Sequence, residues 1–174
     1  MFNLNFRKLL FNGIWNSGDT ATNPPLFNNP TNIIDINGAT KQIGSTASIS
    51  EAKDTFSSII HALNTVAINA VSARLGQSYF KLGTGTTTPT EDNYNIETEV
   101  SDLVINQATQ TTTATFEKAY NLNITNTGSS VITLSEIVQV LRVYGNNDIA
   151  ISRTLTAASF APGETKTIMV EVSL

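Results

Sequence analysis

The sequence contains no cysteine and a single histidine among its 174 residues. Without cysteine, the chain has no disulfide framework, no thiol nucleophile and no Cys-based zinc or iron–sulfur site. One histidine cannot form a multi-histidine metal site. His61 also lacks a recognisable acid–base partner, so we expect a structural role for it rather than a catalytic one. We therefore expect no cofactor, no metal and no enzymatic activity.

Charge is scarce as well: 14% of the residues are charged, against an ordinary fraction of about 25%, and the formal net charge is -4. The positive residues form no cluster that would follow a phosphate backbone, so nucleic acid is not expected as a direct partner. No apolar run reaches the roughly 18–20 residues of a membrane span. Arg7 and Lys8 also interrupt the apolar N-terminus where a signal peptide would be continuous. We expect a soluble chain without membrane contact.

Small neutral polar residues are abundant, since 25 Thr, 19 Asn and 15 Ser make up about a third of the chain. Such side chains suit exposed sheet faces and subunit contacts. The length favours one domain. We predict an N-terminal arm and linker over residues 1–47, and a single domain over residues 48–174.

The arm is predicted to be extended, because Pro24, Pro25 and Pro30 exclude a regular helix from its linker. Its N-terminal tip carries large apolar residues that must be buried somewhere. The candidate subunit-contact residues of the arm are Phe2, Phe6, Leu9, Leu10, Phe11 and Trp15. The tip either packs back on its own domain or docks on a neighbouring subunit, and the sequence favours neither.

One helix is predicted, over about residues 49–75. Ser48 and Glu51 form a capping box at its start. Apolar residues then recur at helical spacing and form one stripe. The stripe consists of Phe56, Ile59, Ile60, Leu63, Ala67, Ala70 and Val71.

From Gln77 onwards the apolar pattern has a period of two, which predicts strands. The predicted strands cover residues 78–82, 99–107, 111–126, 131–134, 136–144, 149–155 and 165–174. Turn-forming sequences separate the last three, and Pro162 and Gly163 are placed at the corner of the final turn. The fold class is therefore mainly β, an antiparallel β-sandwich of immunoglobulin-like or jelly-roll-like type with one preceding helix.

Two segments superficially suggest binding chemistry. The stretch from Gly83, Thr84 and Gly85 to Pro89 is glycine-rich but lacks the Lys-Ser/Thr ending of a phosphate-binding loop. Five acids follow: Glu91, Asp92, Glu97, Glu99 and Asp102. Clustered carboxylates suit calcium, but their spacing matches no EF-hand and no aromatic platform is expected around them. We expect a solvated acidic loop, or one that meets a basic patch on a neighbour.

Five sequence elements in order resemble a recurring pattern in virion proteins of tailed bacteriophages, over roughly residues 77–174. They are Tyr79-Phe-Lys-Leu-Gly-Thr-Gly-Thr-Thr-Thr-Pro-Thr90 with Asn95-Ile-Glu97, Phe116 to Asn126 with Asn126-Thr-Gly128, Leu134-Ser-Glu-Ile137, Arg153-Thr-Leu155 and Ala161-Pro-Gly-Glu-Thr165. The glycine that usually follows the third element is absent here, since Val138 and Gln139 follow Ile137. Residues 1–47 lie outside the resemblance.

The resemblance implies a small β-sandwich used as a head, head-decoration, collar or tail component, with no catalytic residues. We accordingly predict a non-enzymatic virion structural protein in many copies, a capsid decoration or auxiliary head protein. Its partners would be other virion proteins and further copies of itself in a homo-oligomer. A tail, collar or fibre-base component is the alternative within this class, and a carbohydrate- or receptor-binding module is the alternative from another class.

Overall fold

The computed structural model describes residues 7–8, 31–43, 66–70, 72–73, 77–114, 117–143 and 147–173. This part of the chain is mainly β and forms three antiparallel sheets. Its strands are β1 (Thr31–Ile34), β2 (Thr40–Ile43), β3 (Ser78–Gly83), β4 (Leu103–Ala114), β5 (Glu117–Asn126), β6 (Ile132–Val143), β7 (Asn147–Phe160) and β8 (Thr165–Ser173).

The sheets follow a simple path. β1 and β2 form a two-stranded hairpin, and two three-stranded sheets have the orders β3-β6-β7 and β4-β5-β8. After the β4–β5 hairpin the chain crosses to the other sheet for the β6–β7 hairpin, and then returns to place β8 beside β5.

The alternation of apolar and polar residues along β5 explains how this strand packs. Tyr120, Leu122 and Ile124 are fully buried, as the sequence pattern predicts for one face of this strand. The intervening Asn121 and Asn123 are half-buried on the opposite face. A strand of this kind covers the core with one side and shows amides and hydroxyls on the other.

One hydrophobic cluster takes side chains from both three-stranded sheets. Phe80 of β3 and Tyr120 of β5 meet edge to face, with ring centroids 5.2 Å apart. The same cluster contains Leu103 and Ile105 of β4 and Ile149 and Ile151 of β7. Each such side chain contributes about 1.5–3 kcal/mol when it is fully buried.

The sheet β3-β6-β7 is covered on both faces. Its second face carries Tyr79, Val138, Val140 and Ala150, in a separate cluster with residues from outside the two large sheets. Those residues are Ile36, Ala67, Ala73 and Ile96. This explains why residues 149–153 of β7 are all buried and show no alternation.

The expectation of a loose linker up to residue 47 is wrong for residues 31–43. They form the β1–β2 hairpin, whose Ile33 is fully buried in the main core. Asp35 Oδ1 accepts hydrogen bonds from the Asn37 and Ala39 amides, at 2.9 and 2.8 Å, which shapes the connecting turn. Strands of four residues carry too little pattern to be recognised beside so many turn-forming residues.

The predicted helix at 49–75 is not supported. Residues 44–65, 71 and 74–76 lie outside the described residues, and those between 66 and 73 that are described are not helical. Val66 instead forms a parallel bridge with Ser78, and the Ala67 amide donates to the Ser78 carbonyl at 2.7 Å. Asn69 Oδ1 accepts from the Ser72 amide at 2.9 Å, a local bond that competes with helix.

Two strand boundaries also differ from the prediction. The predicted strand 111–126 is a hairpin, in which β4 ends at Ala114 and β5 begins at Glu117. The two short strands predicted at 131–134 and 136–144 are one strand, β6, with a register shift against β7 between Leu134 and Glu136. Register shifts on β4 leave Asn106 and Thr113 as extra residues opposite β5.

Asn126 holds the corner at which the chain changes sheets. This residue is fully buried, and its Nδ2 donates to the carbonyls of Ser130 and Phe160, at 2.8 and 3.0 Å. Its Oδ1 accepts from the Gly128 amide at 2.9 Å, and its backbone pairs with Gly163 and Glu164. Both sheet-crossing turns are therefore bonded to this one residue, through its side chain and its backbone.

We expect Asn126→Ala to lower the free energy of unfolding by about 3 kcal/mol, because it removes three side-chain hydrogen bonds and leaves the buried Phe160 carbonyl without its donor. Asn123→Ala, on the outer face of the same strand, is the matched control and should cost less than about 1 kcal/mol. Urea unfolding of both variants measures the difference. Equal losses would show that the corner bonds contribute nothing beyond those of an ordinary strand residue.

Candidate functional site

The segment between β3 and β4, residues 84–102, is called the β3–β4 loop. It folds back on itself, since the Thr84 amide donates to the Thr98 carbonyl and the Val100 amide to the Leu82 carbonyl, both at 2.9 Å. Thr84 and Pro89 are half-buried within it. The loop contains the glycine-rich stretch and all five acids singled out from the sequence.

A buried carboxylate anchors this loop. Glu136 of β6 is fully buried, and its Oε1 accepts from the amides of Gly85, Glu97 and Thr98, at 3.1, 3.0 and 2.9 Å. Charge-assisted bonds of this kind are about twice as strong as neutral ones. One carboxylate therefore fixes both ends of the loop.

Arg153 of β7 completes the anchor and is 4% exposed. Its Nε donates to Glu136 Oε2 at 2.8 Å and its Nη2 to Glu97 Oε2 at 2.9 Å. Its Nη1 lies 3.3 Å from Asn93 Oδ1. The Glu136–Arg153 pair thus connects β6, β7 and the β3–β4 loop.

Gly83 and Gly85 allow the loop to approach this pair. A Cβ on Gly83 would lie 2.5 Å from the Thr98 carbonyl oxygen and 2.6 Å from Glu136 Oε1. A Cβ on Gly85 would overlap the same carboxylate oxygen. The glycines of this stretch allow the loop to pack closely on a carboxylate. A phosphate-binding loop would instead leave this space for an anionic ligand.

Pro162 and Gly163 lie elsewhere, in the turn between β7 and β8. Both are exposed, and Gly163 has a φ of 74°, a left-handed conformation that favours glycine. The Glu164 amide donates to the Ala161 carbonyl at 3.0 Å and closes the turn. These two residues shape the sheet-crossing corner and do not reach the Glu136–Arg153 pair.

Glu97 carries a depressed pKa. Hydrogen bonds from the Thr87 hydroxyl, at 2.7 Å, and from the Thr87 amide, at 3.1 Å, are the main causes, and Arg153 adds to them. All of these donors favour the charged carboxylate. Glu97 is therefore held as an anion across the loop.

The other acids have separate partners. Glu91 forms an ion pair with Arg7 and Glu99 with Lys81, both at 2.7 Å. Asp102 Oδ1 accepts from the Ser101 hydroxyl at 3.4 Å, and the backbone carbonyl of Asp102 accepts from the Thr127 amide at 2.7 Å. In the part of the chain that the structure describes, no three His, Cys, Asp or Glu side chains are placed to share a metal ion.

A cavity of about 360 Å³ opens beside Glu97, and the sequence did not reveal it. It is lined by Thr87, Asp92, Asn93, Tyr94, Asn95, Ile96, Glu97 and Arg153. The expectation that no aromatic ring stands near these acids is wrong, because Tyr94 lines the cavity and is 41% exposed. The sequence also gives no sign that Arg153 belongs to this site, because Arg153 lies on a strand and is 56 residues away from Glu97 along the chain.

The arm residues Phe2, Phe6, Leu9, Leu10, Phe11 and Trp15, together with His61, lie outside the described residues. Arg7 and Lys8 are described and contact their own chain. Arg7 pairs with Glu91, and Lys8 Nζ donates to the Asn32 carbonyl at 3.1 Å. Among the residues given by the structure, no helix is long and apolar enough to cross a membrane.

We expect Glu136→Gln and Arg153→Met each to lower the free energy of unfolding by about 3–5 kcal/mol, because each leaves one buried partner uncompensated. The double variant should lose clearly less than the sum of the two. Lys81→Met, at the more exposed pair with Glu99, is the control and should cost at most about 1 kcal/mol. Strictly additive losses in urea unfolding would rule out coupling within the pair.

We expect Thr87→Val to raise the pKa of Glu97 towards its ordinary value of 4.5, because the largest cause of the depression is the Thr87 hydroxyl. A depressed pKa contributes stability above the unfolded-state pKa, and this is lost as the pH falls through the folded-state value. Carboxyl ¹³C titration of both proteins measures the shift. Thr90→Val, in the same loop, should leave the pKa of Glu97 unchanged.

A comparison of the chain with models of known protein families, with curated proteins and with solved structures finds no match. What the site does must therefore be inferred from its own contacts.

Proposed function

We propose that the two three-stranded sheets are the layers of an antiparallel β-sandwich, of immunoglobulin-like or jelly-roll-like type. The contact between Phe80 and Tyr120 and the cluster shared by both sheets support this arrangement. The β1–β2 hairpin adds Ile33 to the same cluster.

We further propose that the protein is a non-enzymatic structural component of a tailed-bacteriophage virion, present in many copies as a capsid decoration or auxiliary head protein. One observation carries this proposal. The elements that resemble the virion proteins, although far apart in sequence, meet at two bonded centres. Gly83, Gly85, Glu97, Glu136 and Arg153 meet at the first.

The second centre is the Asn126 corner. Asn126 and Gly128 of one element bond each other there, and the Gly163 amide of another donates to the Asn126 carbonyl at 2.9 Å. Residue patterns with a shared structural purpose are retained in order and spacing when a fold is retained. The contacts therefore support a resemblance of fold, and the virion role is proposed by analogy with the proteins that these elements resemble.

The use of the charged residues supports a structural role. Glu136 and Arg153 are buried and direct their polar atoms to backbone amides and to each other. These bonds attach the loop to the strands, so the two charges have a structural use. The strongest electrostatic interactions of this site thus hold the β3–β4 loop in its conformation.

The outer face of the β4-β5-β8 sheet offers a mostly uncharged surface to neighbouring subunits, with the exposed Glu171 towards one end. Asn106 Nδ2 donates to Thr125 Oγ1 at 2.6 Å, and Thr125 and Thr165 share a hydroxyl bond of 2.7 Å. β4 forms an edge of this sheet and contains no charged residue over its 12 positions. Uncharged edges and faces cost less to desolvate than charged ones, and their amides and hydroxyls can form hydrogen bonds with another protein surface.

The N-terminal arm is proposed as the second contact. Its apolar tip would bury surface on a neighbouring subunit at about 25 cal/mol per Å². The proposed partners are other virion proteins and copies of the same chain in a homo-oligomer, without direct contact to nucleic acid or membrane. The proposed location is the virion.

Quantitative mass spectrometry of purified particles tests the location. On the order of hundreds of copies per particle would match a head protein, whereas about a dozen or fewer would match the alternative of a tail, collar or fibre-base ring. Absence of the chain from particles that are otherwise complete would refute the virion proposal.

We expect deletion of residues 1–17 to abolish incorporation into particles while the remaining body stays folded. Circular dichroism and urea unfolding check the body, and particle composition checks the incorporation. Arg7→Ala, which removes only the exposed pair with Glu91, is the control and should still be incorporated. A deletion variant that cannot fold would show that the arm belongs to the core of its own chain.

A further inference from the structure

The cavity beside Glu97 has the form of a small recognition site. Its volume of about 360 Å³ lies within the range of ligand pockets. Arg153, nearly fully buried, forms part of its wall and is held in place by Glu136 and Glu97. A site whose wall is fixed by a buried ion pair is preformed, and a ligand would lose little free energy in ordering it.

Tyr94 provides an aromatic surface at the mouth of this cavity. Gly38, in the turn of the β1–β2 hairpin, lies against the ring: a Cβ added there would be 3.5 Å from Tyr94 Cε2 and 3.6 Å from its hydroxyl. The hairpin thus supports the ring from one side, while 41% of the residue stays exposed. An exposed ring with this support can pack against the C–H face of a ligand.

Polar groups near the ring are available for hydrogen bonds. Asn95 Oδ1 accepts from the Ile96 amide at 2.8 Å, which orients the side chain. Within the described ranges, neither Asn95 Nδ2 nor the Tyr94 hydroxyl has a hydrogen-bond partner, and the Asp92 carboxylate also lines the cavity. The site therefore offers an amide donor, a hydroxyl and a carboxylate acceptor around one aromatic ring.

The charges of the cavity select against ionic ligands. Arg153 is already paired with Glu136 and Glu97, and Asp92 adds a further negative charge, so a phosphate or carboxylate would be repelled. Both oxygens of Glu97 already accept bonds from Thr87 or Arg153, so of the two acids that line the cavity only Asp92 remains for an ammonium group, which carries three donors. A neutral ligand rich in hydroxyl groups fits the remaining donors and acceptors.

We propose that this cavity binds a neutral pyranose saccharide, with a C–H face on Tyr94 and hydroxyl groups bonded to Asn95 and Asp92. A saccharide that packs on one aromatic ring in a small, open site is expected to bind with a dissociation constant on the order of millimolar. Repeated copies on one particle would raise the avidity without new contacts. The site stands on its own geometry and goes beyond the virion role.

The experiment is a titration of the full chain, followed by ¹H–¹⁵N NMR, with methyl glycosides of glucose, galactose, mannose, rhamnose and N-acetylglucosamine. At least one glycoside should shift the amide signals of residues 92–97. Tyr94→Ala and Asn95→Ala should each weaken that binding about tenfold while the remaining spectrum stays unchanged. Met169→Ala, an exposed apolar residue of β8, is the matched control and should bind as the unaltered chain does.

Three outcomes would overturn the inference: no glycoside shifts these signals, the shifts lie elsewhere, or Tyr94→Ala binds equally well. N-acetyl-lysine methylamide serves as a cationic probe. Binding of this probe in place of the glycosides would assign the cavity to a basic peptide instead. Copy number per particle is measured separately, so failure of the saccharide site and failure of the virion proposal are distinguishable.

Discussion

The buried Glu136–Arg153 pair is the interaction on which the arrangement of the loops depends. Removing two charges from water is costly, and their mutual attraction compensates only when further hydrogen bonds satisfy the remaining atoms. Three backbone amides of the β3–β4 loop supply those bonds to Glu136. The loop conformation and the burial of the pair therefore require each other, and the glycines at 83 and 85 are the steric condition for both.

A second polar cluster lies on the same face of this sheet, towards the other end of β6. Arg142 forms two bonds of 2.8 Å to Asp148, and its Nη1 donates to the carbonyls of Ala70 and Ala73 at 2.9 Å. The Tyr79 hydroxyl donates to Asp148 at 2.9 Å, and burial together with this carboxylate raises the pKa of Tyr79 well above its usual range. Irregular segments in this protein are thus attached to strands by charged side chains, while the sheets themselves meet through apolar ones.

The sequence pattern predicts those elements whose two faces differ. β5 and β8 alternate because one side meets the core and the other meets solvent, and the antiparallel pairing of β6 and β7 also follows from their turn. The pattern fails where a segment lies against a sheet without regular structure. Ala67 and Ala70 belong to the predicted helical stripe, but they pack in one cluster with Tyr79 and Val140 as an irregular chain. For the site, the glycines indicate a close approach, but their partner Glu136 lies 51 residues beyond Gly85. Only the folded chain brings them together.

The two extra residues on β4 have a consequence for growth at the sheet edge. A free edge of this length without charge is a template for stacking one chain on another into fibrils. Asn106 and Thr113 break the even spacing of its hydrogen-bonding groups, so the longest uninterrupted pairing with β5 runs from Gln107 to Thr112. An incoming strand must therefore be short or carry matching irregularities of its own. The irregular spacing at this edge therefore disfavours the regular stacking of many chains.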